Sequence, residues 1–311
     1  AVAARAHGQL TMDHFGLLNI DKPTGLTSRD VVNDIQRLIR PAKAGHAGTL
    51  DPLATGVLVV CLGRATRLVS LIQEMRKTYR ATFLLGRTSD TDDVEGTVVE
   101  VPNAPRPIRD DVLAALPEFV GRIEQRPPSF SAVKVSGKRA YSLAREGQEV
   151  ELAARPVDVY RIDVLRYEHP DLVLEIECGS GTYVRAIGRD LGERLGCGAV
   201  MSALERTAIG PFTVETATPI ADVTRESLPE LLLPAALATV GLPRVVVDAA
   251  GVRELVNGRR VRAWRPVADA AARSGDRPQP VAVLDEAGSL VALCDVSGGE
   301  LRPRQVFAER S

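Results

Sequence analysis

The sequence predicts an α+β protein, on three observations. Strand-like and helix-like segments interleave without the strict β–α alternation of a parallel, doubly wound sheet. At 311 residues the chain exceeds one average domain, so one large unit plus a small one is expected. A compact run of short strands begins near Leu242, set apart by the Leu-, Pro- and Ala-rich stretch Pro219 to Gly241.

Each element has its own signal. Gly16 to Asp21 reads as a short strand running into the Lys22-Pro23-Thr24-Gly25 turn. Ser28 is the expected N-cap of a helix with an apolar stripe at Val31, Val32, Ile35, Leu38 and Ile39, stopped by Pro41. Pro41 to Gly56 is a loop, and the unbroken apolar run Val57 to Leu62 is a buried strand. A helix over Arg64 to Gln73 and a strand over Thr78 to Leu85 follow, then an acidic turn at Arg87 to Gly96 and a strand at Thr97 to Val101. Arg109 to Leu116 is helical, Ser131 to Val135 strand-like, and Tyr141 to Glu146 helical. Val157 to Tyr167 and Leu172 to Cys178 form a strand pair joined at His169-Pro170-Asp171. A Gly179-Ser180-Gly181 turn opens a helix over Tyr183 to Leu195, and Ala199 to Thr207 is a strand. Pro219 to Gly241 is expected to hold a helix and a connection. The tail module offers strands at Val245 to Val247, Val281 to Leu284 and Leu290 to Cys294, a helix at Gly251 to Val256 and a mobile loop over Pro266 to Pro280.

Composition narrows the function classes. A hydrophobic share of 45% with 25% charged residues is ordinary for a soluble globular protein. Cys61, Cys178, Cys197 and Cys294 show no Cys-x-x-Cys and no His at ligand spacing, which argues against a zinc site and a disulfide framework. No apolar run approaches the roughly 18 residues of a membrane helix, and residues 1–15 read as a flexible leader. A cytoplasmic monomer without metal or cofactor is expected. Net charge is −1, yet residues 22–87 hold eleven Lys or Arg against four acidic residues, a local basic excess suited to a polyanion or to solvated helix faces. Five lysines stand against 34 arginines, and those that remain are candidates for sites needing a compact ammonium.

The segment richest in chemical signals is Gly45-His46-Ala47-Gly48-Thr49-Leu50-Asp51-Pro52-Leu53-Ala54-Thr55-Gly56. Its glycines permit unusual backbone or close approach of a ligand, and Pro52 stiffens the chain after Asp51. From spacing alone two readings stand: an Asx-type turn at Asp51, or a carboxylate held for chemistry just before a buried strand.

This segment resembles the Gly-x-Leu-Asp-Pro loop of bacterial tRNA pseudouridine-55 synthases, the TruB family. Further blocks share the resemblance: Asn19-Ile20-Asp21-Lys22-Pro23-x-Gly25-x-Thr27-Ser28, Lys77-Thr78-Tyr79-Arg80, and Pro127-Pro128-x-Phe130-Ser131-Ala132-Val133-Lys134. Gly179-x-Gly181-Thr182-Tyr183-Val184-Arg185 with Asp190-Leu191-Gly192, and Leu204-Glu205-Arg206-Thr207, complete the set. The resemblance implies a mixed, mainly antiparallel sheet with flanking helices as the catalytic domain over 16–241, with an RNA-contacting insertion at 119–150. It also implies a β-rich, PUA-like domain over 242–311, where 11 Arg stand against 9 acidic residues.

The roles it implies are specific. Asp51 would be the essential carboxylate, Tyr79 would lie against the base and handle a proton, and Arg185 would pair bidentately with Asp51. Tyr183 and Leu204 would line the uracil pocket, His46 would stack in the RNA near the vacated base position, and Lys22 would support substrate binding nearby. The implied partner is tRNA, gripped at the T-arm, and the implied reaction turns a flipped-out uridine of the T loop into pseudouridine without a cofactor. Attack by Asp51 at C1′ or C6, or a glycal route, all remain open. Two other functions are compatible with the sequence: a guide-RNA-dependent, dyskerin-type synthase that shares the Leu-Asp-Pro loop, and an RNA chaperone that folds tRNA without catalysis.

Overall fold

The computed structural model describes residues 14–128, 152–267 and 280–309, together with the backbone of two short strands between 128 and 152. Strand β1 (Gly16–Lys22) is followed by a helix, Ser28–Leu38, that buries Val31, Val32 and Ile35, the stripe read from sequence. The cap is shifted by one residue. Thr27 receives the Asp30 N–H, and the Asp30 carboxylate receives the Thr27 N–H at 2.9 Å, a reciprocal capping box. Ser28 is used elsewhere: its hydroxyl accepts from the Leu50 N–H at 2.8 Å and donates to the Leu50 carbonyl, tying this helix to the loop that carries Asp51.

Strands β2 (Ala44–His46) and β3 (Thr55–Leu62) come next. The helix expected at Arg64 to Gln73 is split, with a 3-10 segment at Gly63–Leu68 before an α-helix at Val69–Glu74. Strand β4 (Lys77–Leu85) buries alternate residues, and β5 (Arg87–Ser89) with β6 (Val98–Glu100) forms a small hairpin around the acidic turn. After the helix Arg109–Ala115 come β7 (Gly121–Gln125), the short pair β8 (Lys134–Val135) and β9 (Lys138–Arg139), then β10 (Arg155–Glu168) and β11 (Asp171–Cys178). Helix Val184–Arg194 leads into β12 (Ala199–Ile209), β13 (Phe212–Thr213) and β14 (Thr218–Pro219).

Among the described residues, ten strands form one sheet with the path β14-β1-β3-β12-β4-β11-β10-β7, β13 lying beside β12 and β2 beside β3. The β1–β14 and β3–β12 pairs are parallel and the others antiparallel. Period-2 alternation places Tyr79, Ala81 and Phe83 of β4 with Leu172, Leu174 and Ile176 of β11 in one core, closed by Val184, Ile187 and Leu191 of the helix. The first strand of the stretch 119–150, β7, pairs with β10 inside this sheet.

Pro219 to Gly241 holds a short α-helix at Leu228–Leu231 between 3-10 segments at Ile220–Asp222 and Ala235–Thr239. Pro229 and Pro234 lack the N–H that a continuous helix would need. Beyond it, β15 (Arg244–Val246), a helix at Ala249–Val256, β16 (Arg265–Pro266), β17 (Val281–Leu284), β18 (Leu290–Ser297) and β19 (Glu300–Val306) build a second sheet, ordered β16-β15-β17-β18-β19. Strand β19 was not legible because Pro303 breaks its pattern; at a sheet edge the missing N–H is tolerated. The two sheets share a core containing Leu17, Val59 and Leu68 with Leu284, Leu290, Leu293 and Phe307. Phe307 stacks on Phe15 at 5.8 Å, and Arg67 lies 4.8 Å above its ring.

The leader up to residue 13, the block from Ser129 to Val133, the Tyr141 to Glu146 helix and most of the Pro266 to Pro280 loop lie outside the described residues. No helix among the described residues is long and apolar enough to cross a membrane. One glycine tests the packing of helix Val184–Arg194 on β12. A Cβ at Gly192 would stand 2.3 Å from the Ala199 nitrogen and 2.4 Å from the Gly198 carbonyl carbon. Gly192→Ala should therefore destabilise by about 1–3 kcal/mol despite a helix-propensity gain of about 1 kcal/mol. The midpoint of denaturant unfolding checks this; an unchanged or higher midpoint would show that the helix is free to shift.

Candidate active site

The Asp51 loop is held through its backbone. Gly48 (φ +108°) and Gly56 (φ +90°) adopt left-handed conformations, and a Cβ on Gly56 would meet the Arg206 carbonyl oxygen at 2.4 Å. Gly45, in contrast, has ordinary room around it. From below, the Lys22 ammonium donates to the carbonyls of Pro23 (2.8 Å), Leu26 (2.7 Å) and Pro52 (3.4 Å). From the other side, Arg206 donates to Val57 O (2.8 Å), Gly48 O (3.2 Å) and Thr49 O (3.5 Å). Burial lowers the pKa of Lys22, and the nearby Asp51 carboxylate opposes that shift.

Arg185, in the first turn of helix Val184–Arg194, supplies a partner of Asp51. One terminal nitrogen reaches Asp51 Oδ2 at 3.1 Å, while the other reaches Asp93 Oδ2 at 3.1 Å and the Thr91 carbonyl at 2.8 Å. The guanidinium bridges two carboxylates because both converge on it. Asp93, whose side chain is 3% exposed, demands a buried partner, whereas that of Asp51 is 37% exposed and faces the cavity. The remaining Asp93 oxygen accepts from Thr91 Oγ1 (2.6 Å) and the Glu95 N–H (3.0 Å). Alongside, Arg189 pairs with Asp92 at 2.8 Å; burial raises the Asp92 pKa and Arg189 opposes it.

A cavity of about 760 Å³ opens over Asp51, lined among others by Tyr79, Asp93, Tyr183, Arg185, Leu204 and Arg206. Its floor follows from strand register: Tyr79 lies opposite Arg206 and Ala81 opposite Leu204 across the β4–β12 pair. Burial raises the Tyr79 pKa, against the charge of Arg206 and a hydrogen bond from it, so the phenol keeps its proton at neutral pH. Tyr183 is fixed at its backbone by Gln125, which accepts from its N–H (2.8 Å) and donates to its carbonyl (3.0 Å). The Arg155 guanidinium sits 5.1 Å from the centre of the Tyr183 ring.

Comparison with known proteins bears on this arrangement. Residues 36–184 match the TruB family pseudouridylate synthase N-terminal domain, and residues 185–238 match the tRNA pseudouridylate synthase B C-terminal domain. A tRNA pseudouridine synthase B of Arthrobacter sp. (strain FB24) is 43% identical over 299 residues, covering 94% of this chain and 96% of that protein. The chain belongs to the TruB family. It is a pseudouridylate synthase, an isomerase. A tRNA pseudouridine synthase B of Dehalococcoides mccartyi is 45% identical over 251 residues, covering 79% of this chain and 84% of its own. Among solved structures, a chain in the crystal structure of a Cbf5-Nop10-Gar1 complex superposes with a TM-score of 0.74 at 30% identity, over 96% of this chain and 86% of that one. The likeness therefore takes in both sheets.

Within this TruB-family chain the structure brings Asp51, Tyr79, Arg185, Tyr183 and Leu204 to one cavity. It does not bring Lys22 or His46 there. Lys22 is fully buried beneath the loop, where its ammonium donates to the Pro52 carbonyl next to Asp51. His46 is half-buried in β2, opposite Val60, and burial lowers its pKa. Sequence reasoning missed Asp93, Arg206 and Gln125. Asp93 sits in an acidic run that reads as a solvated turn, and nothing along the chain announces its pairing with Arg185.

Arg185→Lys keeps the charge, but a single ammonium cannot span both carboxylates. Turnover should fall on the order of 100-fold, the scale set by misplacing a reacting group by about 1 Å, with cooperative unfolding preserved. Parental turnover in the folded variant would show that the bridge is not needed.

Proposed function

We propose that this protein converts uridine 55 in the T loop of tRNA to pseudouridine, with Asp51 as the essential carboxylate. The observation that carries the reading is the asymmetry of the Arg185 bridge: one carboxylate is buried as an anchor, and the other is left facing a nucleotide-sized cavity between Tyr79 and Tyr183. Tyr79 and Tyr183 would hold the flipped base by stacking, Leu204 would pack against it, and Arg185 would keep Asp51 oriented and ionised. His46 would act outside the cavity, on RNA near the vacated base position.

The reaction breaks the N1–C1′ bond, turns the uracil and joins C5 to C1′; the proton on C5 is lost and N1 regains one. The substrate and product are isomers. Asp51 would act at C1′, at C6 or as a base, and the buried Tyr79 phenol, still protonated, is placed to pass a proton. Residues 16–241 would carry the chemistry, residues 119–150 would contact RNA, and the sheet formed after Leu242 would serve as a PUA-like RNA-binding tail. The setting would be cytoplasmic.

One observation favours a second reading. A chain in the structure of an H/ACA ribonucleoprotein bound to a substrate RNA also superposes with a TM-score of 0.74, at 27% identity. Identities of 43% and 45% to proteins named tRNA pseudouridine synthase B favour the stand-alone enzyme. Purified protein and an unmodified tRNA transcript decide between them, with pseudouridine mapped by carbodiimide labelling or mass spectrometry. Product at position 55 without guide RNA is expected, and none would contradict the reading. In the same assay Asp51→Asn should lower turnover by on the order of 10⁴-fold or more, the scale of a lost catalytic nucleophile, while tRNA binding persists. An active Asp51→Asn variant would remove Asp51 from the chemistry and leave room for a chaperone role.

A further inference from the structure

We infer that Arg206 is a positioning residue that locks the Asp51 loop to the Tyr79 wall of the cavity and so fixes the separation of carboxylate and phenol. This rests on the reading of the cavity as the uridine site. Arg206 occupies a junction of three strands: it lies opposite Tyr79 of β4 on one side and beside Gly56 of β3 on the other. Its side chain is 1% exposed and among the largest fully buried ones in the protein.

Among the described residues, the hydrogen-bond partners of this buried cation are neutral oxygen atoms. The guanidinium donates to the carbonyls of Val57, Gly48 and Thr49, and the residue stands opposite Tyr79 across the β4–β12 pair. Burying a cation without a carboxylate in contact costs more than burying an apolar side chain of the same length. Packing alone would place Leu or Met here. What only a guanidinium supplies is a rigid planar fork of five donors, able to hold acceptors from different segments at fixed angles.

The segments it joins are the relevant ones. Gly48 and Thr49 are the N-terminal shoulder of the Asp51 loop, and Lys22 holds the C-terminal shoulder through the Pro52 carbonyl. Tyr79 is the phenol of the cavity floor. Its strand register beside Arg206 fixes where the phenol stands relative to the loop that Arg206 holds. Arg185 sets the direction of the Asp51 carboxylate; Arg206 sets where the loop bearing it stands relative to Tyr79. Glycine at 48 supplies the backbone angle, φ +108°, that side chains rarely adopt and that this shoulder of the loop requires.

The test is a mutant cycle on the full chain with unmodified tRNA transcript. Arg206→Lys keeps the charge and loses the fork. At saturating tRNA its turnover, corrected for folded fraction by thermal melting, should fall on the order of 100-fold while the affinity for tRNA is little changed. Tyr79→Phe combined with Arg206→Lys should lose scarcely more than the worse single variant, because the separation that Arg206 sets matters only while the phenol is present. Parental turnover in folded Arg206→Lys, or losses that simply multiply in the double variant, would overturn the inference. If Arg206→Lys does not fold, Arg206→Gln, which retains two donors and buries no charge, takes its place in the cycle, with the same supporting and overturning results. The parent protein in the same assay separates the two levels: a parent that forms no pseudouridine refutes the proposed function itself. An active parent matched by its Arg206 variants refutes only the positioning role.

Discussion

The Arg185 guanidinium between Asp51 and Asp93 is the interaction around which the catalytic region is arranged. Three segments distant in sequence meet there: the loop before β3, the acidic turn inside the β5–β6 hairpin, and the helix that follows the Gly179–Gly181 turn. Unit charges about 3 Å apart attract by roughly 5 kcal/mol at an effective dielectric near 20. Desolvating each ion costs several kcal/mol, so such a pair adds little net stability when complete and is costly when broken. The bridge therefore acts as a geometric constraint more than as a source of stability. It holds one carboxylate half in solvent at a defined angle, and Asp93 absorbs the other arm of the fork.

Two further cations complete the arrangement without touching the Asp51 carboxylate. Lys22 and Arg206, both buried, take hold of the loop by its carbonyl oxygens from opposite sides, and Ser28 adds a reciprocal pair of bonds to Leu50. A loop rich in glycine is conformationally expensive to order. Here the ordering comes from side chains of the first strand, the first helix and β12, so the position of Asp51 is set by the core of the sheet and not by the loop's own preferences. The low exposure of Arg185 and Asp93 and the more open Asp51 then follow from which group faces the cavity.

Much of this was legible in the sequence, and the reasons for the exceptions are physical. Strands with period-2 alternation or unbroken apolar runs, such as β3, β4 and β11, stand where the pattern puts them. The stripe of Val31, Val32 and Ile35 gave the first helix, yet Thr27 took the cap because Ser28 is drawn to Leu50, a partner no local rule could foresee. In the site, the residues named through the family resemblance, Asp51, Tyr79, Tyr183, Arg185 and Leu204, line one cavity. The burial of Lys22 beneath the loop is not written in its turn motif. Asp93 and Arg206 were missed because their importance lies in long-range pairings, one hidden in an acidic run and the other in the alternation of a strand.

The central claim is that Asp93 matters only through Arg185, as the fixed end of a bridge whose free end is Asp51. Asp93→Asn keeps the size of the anchor, removes its charge and replaces one of its two accepting oxygens by a donor. Turnover on unmodified tRNA should then fall on the order of 100-fold, as expected for a displaced reacting group, with tRNA affinity and cooperative unfolding retained. Parental turnover in a folded Asp93→Asn protein would contradict the account, because it would show that Asp51 keeps its position and charge without the buried end of the bridge.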